Sequence, residues 1–146
     1  LTTNFTQPGS HGQYITANWA RKSSSLNFAK KGTGITESSG IFTFPSTGLW
    51  LITIQLSGNT NGNSLVYWGP YIQISSDSGS NFSRRSETYG HMEHGTRYQT
   101  IMGQALVSVT NASTFRVRIE TECSASLNIR ASNNMSNLDF IRLGDV

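Results

Sequence analysis

The sequence predicts an all-β fold, a sandwich of antiparallel sheets, on three observations. Between Gly48 and Leu56, Gly48, Trp50, Ile52, Ile54 and Leu56 fall on one side of the chain, and Leu49, Leu51, Thr53 and Gln55 on the other. Strict period two is the mark of a strand with one deeply buried face, because successive side chains point to opposite sides. Several further short alternating segments recur with Gly, Pro, Asn and Ser signals between them, the pattern of a sandwich. Finally, Ser, Thr, Asn and Gly dominate the composition, and these residues disfavour long helices.

The elements follow in order. Residues 1–12 are polar, carry Pro8 and Gly9, and read as a lead-in tail; residues 13–146 read as a single domain. Residues 13–21 are expected to form a first strand with Ile15, Ala17 and Trp19 on one face. Loop-rich stretches at 23–25 and 30–40 enclose a short apolar element, Leu26-Asn27-Phe28. A strand ending in Phe42 and Phe44 then turns through Pro45, which cannot donate to a ladder, and re-enters the sheet at Gly48. Residues 58–64 read as a Gly/Asn-rich turn, and 65–76 as a strand broken at Gly69-Pro70. Residues 77–95 lack apolar periodicity and read as a long loop, a length that usually signals function or mobility. Strands are expected at about 97–109, 114–122, 125–130 and 137–143.

The run Gly40-Ile41-Phe42-Thr43-Phe44-Pro45-Ser46-Thr47-Gly48-Leu49-Trp50-Leu51-Ile52 carries a resemblance as well. Gly-x-Phe-x-x-Pro-x-x-Gly-x-aromatic-x-aliphatic is similar to the central motif of the complement-one-q globular head, in the tumour-necrosis-factor-like superfamily. Trp50 stands where that family usually has Tyr. The flanking segments follow the family's order, from Gln13–Arg21 to a closing strand at Leu138–Leu143. The resemblance implies a jelly roll of two antiparallel sheets that assembles as a trimer, and phage or viral versions are the most similar. Trp19, Phe42, Trp50, Ile52, Phe115 and Phe140 are the expected structural core. The central strand is apolar on both faces, more than one monomer core needs, and an intersubunit surface would absorb Leu49 and Leu51.

Composition narrows the functional classes. Charged residues are 13% of the 146, about half the usual quarter, so hydroxyls and amides must solvate the surface. The net charge is +3, and the basic residues come as separated pairs, Arg21-Lys22, Lys30-Lys31 and Arg84-Arg85. A nucleic-acid binder would align them on one face with stacking aromatics, so no nucleic acid is expected. Solvated loop charges, with weak attraction to anionic glycans as a second reading, account for them. Cys123 is the only cysteine; the fold must stand without an intrachain disulfide, and the thiol reads as a small core hydrophobe. No apolar run reaches 18 residues and no leader is evident, so no membrane insertion is expected. Beginning at Leu1, the sequence reads as an excised or processed C-terminal domain.

Catalysis finds little footing. There is no Gly-x-Ser-x-Gly elbow, no phosphate-cradling loop, and no carboxylate pairing among eight acids that signals glycosidase work. His91-Met92-Glu93-His94 gathers two imidazoles and a carboxylate, but a metal centre needs further convergent donors, so no metal and no cofactor are expected. Asn-x-Ser/Thr sequons at Asn4, Asn81, Asn111 and Asn134 are about as many as chance supplies in so hydroxyl-rich a chain. Rings beside the Gly69-Pro70 break suit an interface anchor or a sugar platform, and the 77–95 segment collects polar groups. Ligand or partner binding is therefore assigned to Trp68, Tyr71, Arg84, Arg85, Tyr89, His91 and His94.

The sequence thus reads as a non-enzymatic homotrimeric head on a virion surface, a phage capsid decoration or fibre appendage. Its role would be structural or in host recognition, with a capsid protein or a cell-surface glycan as partner. A secreted, extracellular complement-one-q-like lectin or immune-recognition module is the alternative. A hydrolase on a jelly-roll scaffold is a second.

Overall fold

A computed structural model describes residues 1–9, 12–21, 30–60, 62–95, 97–132 and 135–146. The expected Leu26-Asn27-Phe28 element lies outside the described residues, as do His11 and Asn134. The chain is an antiparallel β-sandwich organised around β5 (Gly48–Asn59). Its alternation is complete: Trp50, Ile52, Ile54 and Leu56 are buried while the intervening side chains are only half-buried. β9 (Tyr98–Val109) pairs with all twelve residues of β5 along one edge. On the other edge, β12 (Asn137–Gly144) pairs with the first half of β5 and β11 (Leu127–Ile129) with its end. β1 (Phe5–Gln7) lies beyond β11 and completes this first sheet.

The second sheet runs β3 (Thr36–Ser38), β4 (Ile41–Thr43), β10 (Arg116–Cys123), β6 (Leu65–Ser75), β7 (Ser83–Glu87). β2 (Gln13–Tyr14) pairs with β10 beyond β4, and β8 (Gly90–Met92) pairs with β6 beyond β7. The core between the sheets is crossed by a chain of rings. Trp19 meets Phe42 at 5.4 Å, Phe42 meets Phe140 at 5.6 Å, Phe140 meets Phe44 at 5.9 Å and Phe44 meets Trp50 at 5.3 Å. Near-perpendicular and tilted contacts of this kind satisfy the ring quadrupoles and add about 0.5–1.5 kcal/mol each beyond area burial. Of the expected core, Phe42, Trp50 and Ile52 are buried, whereas Trp19, Phe115 and Phe140 are half-buried against it. Cys123 is fully buried, and burial pushes its thiol up to about 11.

Five expectations need correction. The lead-in tail contributes β1, whose Gln7 is fully buried and bonds the Thr121 backbone carbonyl at 2.8 Å. The first strand stops at Tyr14: Asn18 takes a left-handed φ of 66°, and the Trp19 indole donates back to the Ile15 carbonyl at 2.9 Å. The turn at 58–64 starts late, because Gly58 and Asn59 still belong to β5. Gly58 has a packing reason, since a Cβ there would come within 3.0 Å of the Trp68 ring. β6 runs unbroken through Gly69-Pro70: the Pro70 carbonyl accepts from Thr88, so its missing N–H faces the gap between β7 and β8 and costs no ladder bond. Residues 77–95 contain two strands, β7 and β8, rather than one long loop.

Trp50 packs on Phe44 at the sheet junction, yet its indole N–H has no hydrogen-bond partner among the described residues. Trp50→Ala should cost about 3–5 kcal/mol, as large-to-small aromatic changes in cores do. Trp50→Phe keeps a ring and removes the unmatched donor, so its thermal melt should lie far closer to the parent. Equal melts for the two variants would contradict this placement.

Candidate binding site

The residues expected to form one binding surface divide into four groups. Trp68 is a correction: it is fully buried beneath Gly58 and donates its indole N–H to Gln99 Oε1 at 2.6 Å. Leu65, Trp68 and Ile72 of β6 point into the core, so no ligand reaches this ring. His91 and His94 are exposed on and just after β8, with His91 Nδ1 3.4 Å from the Val66 carbonyl oxygen. Among the described residues, no three His, Cys, Asp or Glu side chains converge as a metal site.

Tyr71, Arg84 and Tyr89 do come together, on the outer face of the second sheet. Tyr71 and Gln73 of β6 are buried there although they face away from the core. Alternate residues of β10 bring Glu120 and Glu122 to the same face. Arg84 lies over the Tyr71 ring at 3.9 Å and reaches Glu120 at 3.1 Å, Glu87 at 3.6 Å and Glu122 at 3.8 Å. Tyr71 donates its hydroxyl to Glu122, Tyr89 donates to Tyr71, and Gln73 donates to Glu120. Burial, then the bond to Glu122, hold the Tyr71 phenol well above the ordinary tyrosine value. Arg118 continues the network, bonded to Gln73 at 2.6 Å and held between the rings of Tyr14 (3.9 Å) and Phe82 (4.0 Å). Every charged group here already has protein partners, so the cluster works as a clamp joining β7, β6, β10 and β2.

Arg85 separates from Arg84 at an irregularity in β7: Ser86 pairs with Ile72 and Arg84 with Gln73, which leaves Arg85 as the extra residue between them. It lines a cleft of about 480 Å³ at one end of the sandwich, between β7 and the free edge of β9. Ile74, Leu106, Val107 and Phe115 supply its apolar lining. Asp77 and Asn81, from the β6–β7 connection, form one wall. Asp77 accepts from Ser75 Oγ at 2.6 Å, from the Asn81 backbone N–H at 2.9 Å and from Asn81 Nδ2 at 2.8 Å. Those bonds, the Ser75 hydroxyl first, hold its carboxylate down at about 2, so the wall stays charged and fixed. Ser83 and Ser108 add hydroxyls from the facing strands.

Sequence reasoning missed Gln73, Glu120, Glu122 and Arg118 of the clamp, and Asp77 and Asn81 of the cleft. Period two along 116–122 was the available signal for Arg118, Glu120 and Glu122, since Arg116, Arg118, Glu120 and Glu122 alternate with Val117, Ile119 and Thr121. The second set depends on a loop geometry that no periodicity encodes.

Arg84→Ala leaves the largely buried Glu120 with fewer donors and should destabilise the domain by roughly 1–3 kcal/mol. Arg85→Ala, which removes an exposed side chain outside the clamp, should leave the melt within about 0.5 kcal/mol of the parent. Chemical denaturation of the two variants checks both; equal loss would place Arg85 in the clamp as well. No protein-family model matches the sequence, and no curated protein matches it.

Proposed function

We propose that the chain is a non-enzymatic head domain of the complement-one-q and tumour-necrosis-factor-like kind, working as a homotrimer on a virion surface in structure or host recognition. The observation that carries the proposal is the outer face of the first sheet. In register across three strands, Ile141 of β12, Leu51 of β5 and Leu106 of β9 form an apolar row. Ile141 is 52% exposed and Leu106 61%, with Leu143 at 55% beside them. A contiguous apolar patch on a central sheet marks a surface that another protein surface covers. Because the patch is built from the motif strand, a second and third copy of the same chain are the occupants this reading names.

The connectivity supports the jelly-roll part of the reading. Successive strands β4, β5 and β6 alternate between the sheets, as do β8, β9, β10 and β11, while β10 inserts between β4 and β6 and β5 between β9 and β12. The virion setting rests on the hydroxyl- and amide-rich surface and on the similarity of the central motif to phage and viral heads.

In solution the chain should have three times the 16.0 kDa mass of one copy. Leu106→Glu combined with Ile141→Glu should give a monomer whose secondary structure is retained, since both side chains lie outside the core. Light scattering that finds a stable monomer of the parent at micromolar concentration removes the trimer. Antibody against this domain should also decorate the outside of intact particles; unlabelled particles would remove the virion setting.

A further inference from the structure

We infer that the cleft between β7 and β9 is a binding site for a pyranose sugar that carries a carboxylate, a hexuronate, with Arg85 as the residue that recognises the acid group. The inference rests on the recognition reading above for its biological role, and on the cleft's own chemistry for its ligand.

Three features select this class. The cleft, at about 480 Å³, has room for one or two sugar rings, and its lining of Ile74, Leu106, Val107 and Phe115 offers an apolar surface for the C–H face of a pyranose. Its walls are too polar for a purely apolar guest. Asn81 spends one amide N–H on Asp77 and keeps its carbonyl oxygen, while Ser83 and Ser108 keep hydroxyls that pair with nothing among the described residues. That spread of single donors and acceptors matches a ring of hydroxyl groups rather than one strongly polar point.

The third feature is charge. Arg85 lines the cleft with no ion pair or hydrogen bond to a described residue, in contrast to Arg84, which three carboxylates surround. Arg85 is the one cation of the lining and Asp77 the one carboxylate, and the Asp77 oxygens already accept three hydrogen bonds. Asp77 is thus engaged while the Arg85 guanidinium is not, and a planar guanidinium pairs with a planar carboxylate through two parallel bonds. Arg85, Ser76 and Asp77 are exposed, so the mouth is open and the sugar can be free or one unit of a longer acidic chain.

The test is a titration of the parent chain with glucuronate and galacturonate, and with glucose and galactose as the matched neutral sugars, followed by backbone amide shifts. Binding at about 1 mM is expected for the acids, and at least tenfold weaker binding for the neutral sugars. The shifting amides should be those of Ser83, Arg85, Ser108 and Phe115. Arg85→Ala should bring the acids to the level of the neutral sugars with an unchanged melt, and Arg97→Ala, which removes a distant exposed cation, should change nothing. A trigalacturonate that binds more tightly than the monosaccharide supports the inference with a polysaccharide as the source; equal binding supports it with a free or terminal sugar. Equal affinity for acid and neutral sugars, shifts away from the cleft, an equal loss in Arg97→Ala, or no shift at about 10 mM acid would each overturn it. Light scattering on the same samples keeps the two readings apart. A monomer that binds hexuronate removes the trimer and keeps the site, and a trimer that binds none does the reverse.

Discussion

Everything in this fold depends on how completely β5 is used. Its inner face supplies Trp50, Ile52, Ile54 and Leu56 to the core, one edge pairs with β9 over twelve residues, and the other is shared by β12 and β11. A strand so fully paired tolerates no slip, because a shift of one residue would exchange the buried and outer sets of side chains. The entry to it is therefore tightly specified. Gly48 takes a φ of 139°, in the region that favours glycine, and a Cβ there would collide with the Arg142 side chain and the Gly144 carbonyl of β12. Pro45 ends the preceding strand, and Phe44 then packs on Trp50 across the turn. The ring chain from Trp19 to Trp50 passes through Phe140 of the neighbouring strand, so the same turn from β4 in one sheet to β5 in the other fixes the spacing of the two sheets.

That strand was also the most legible part of the chain, for the same reason. Long alternation with a buried face is written directly into residue type, and β5, β9 and β10 all carried it. Legibility failed where burial was polar or strands were short. β1 is three residues long and its buried member is Gln7, whose amide is satisfied by Thr121, so a single half-buried ring, Phe5, is all that marks it. β7 reads Ser-Arg-Arg-Ser-Glu and buries little, because it is an edge strand held by its outer-face ion pairs rather than by the core. β2 was overextended because Ala17 and Trp19 continued the alternation of Ile15, whereas the backbone turns at Asn18 and brings the indole back to Ile15.

The candidate site followed from those same errors. Reading 77–95 as a loop put Arg84 and Arg85 into one polar cluster. Once β7 is a strand with Arg85 as its extra residue, the two part, one into a saturated clamp and one toward an open cleft. Trp68 was placed outside because Gly69-Pro70 looked like a break, yet the strand continues and its parity carries the ring inward. Tyr71, on the other parity, arrives on the outer face, where Arg84, Tyr89 and Glu122 meet it.

The two outer faces are solved in opposite ways, and this contrast bears most on function. On the second sheet, side chains facing away from the core satisfy one another: Tyr71 with Glu122, Gln73 with Glu120 and Arg118, Arg84 with three carboxylates. Such a surface has little left to offer a partner, since any new bond must first break an existing one. On the first sheet, Leu51, Leu106 and Ile141 line up with no polar group among them, and the next row brings Asp139 opposite Thr53. Burial already pushes the Asp139 carboxyl upward, so that face is partly dehydrated before anything covers it. Among the described residues, unspent binding capacity therefore sits in two adjoining places, the apolar face of the first sheet and the cleft at its edge, which share Leu106. The first suits a flat protein surface, because nothing on it selects a small ligand. The second suits a small ligand, because its walls place single hydrogen-bonding groups around one guanidinium that no described residue pairs.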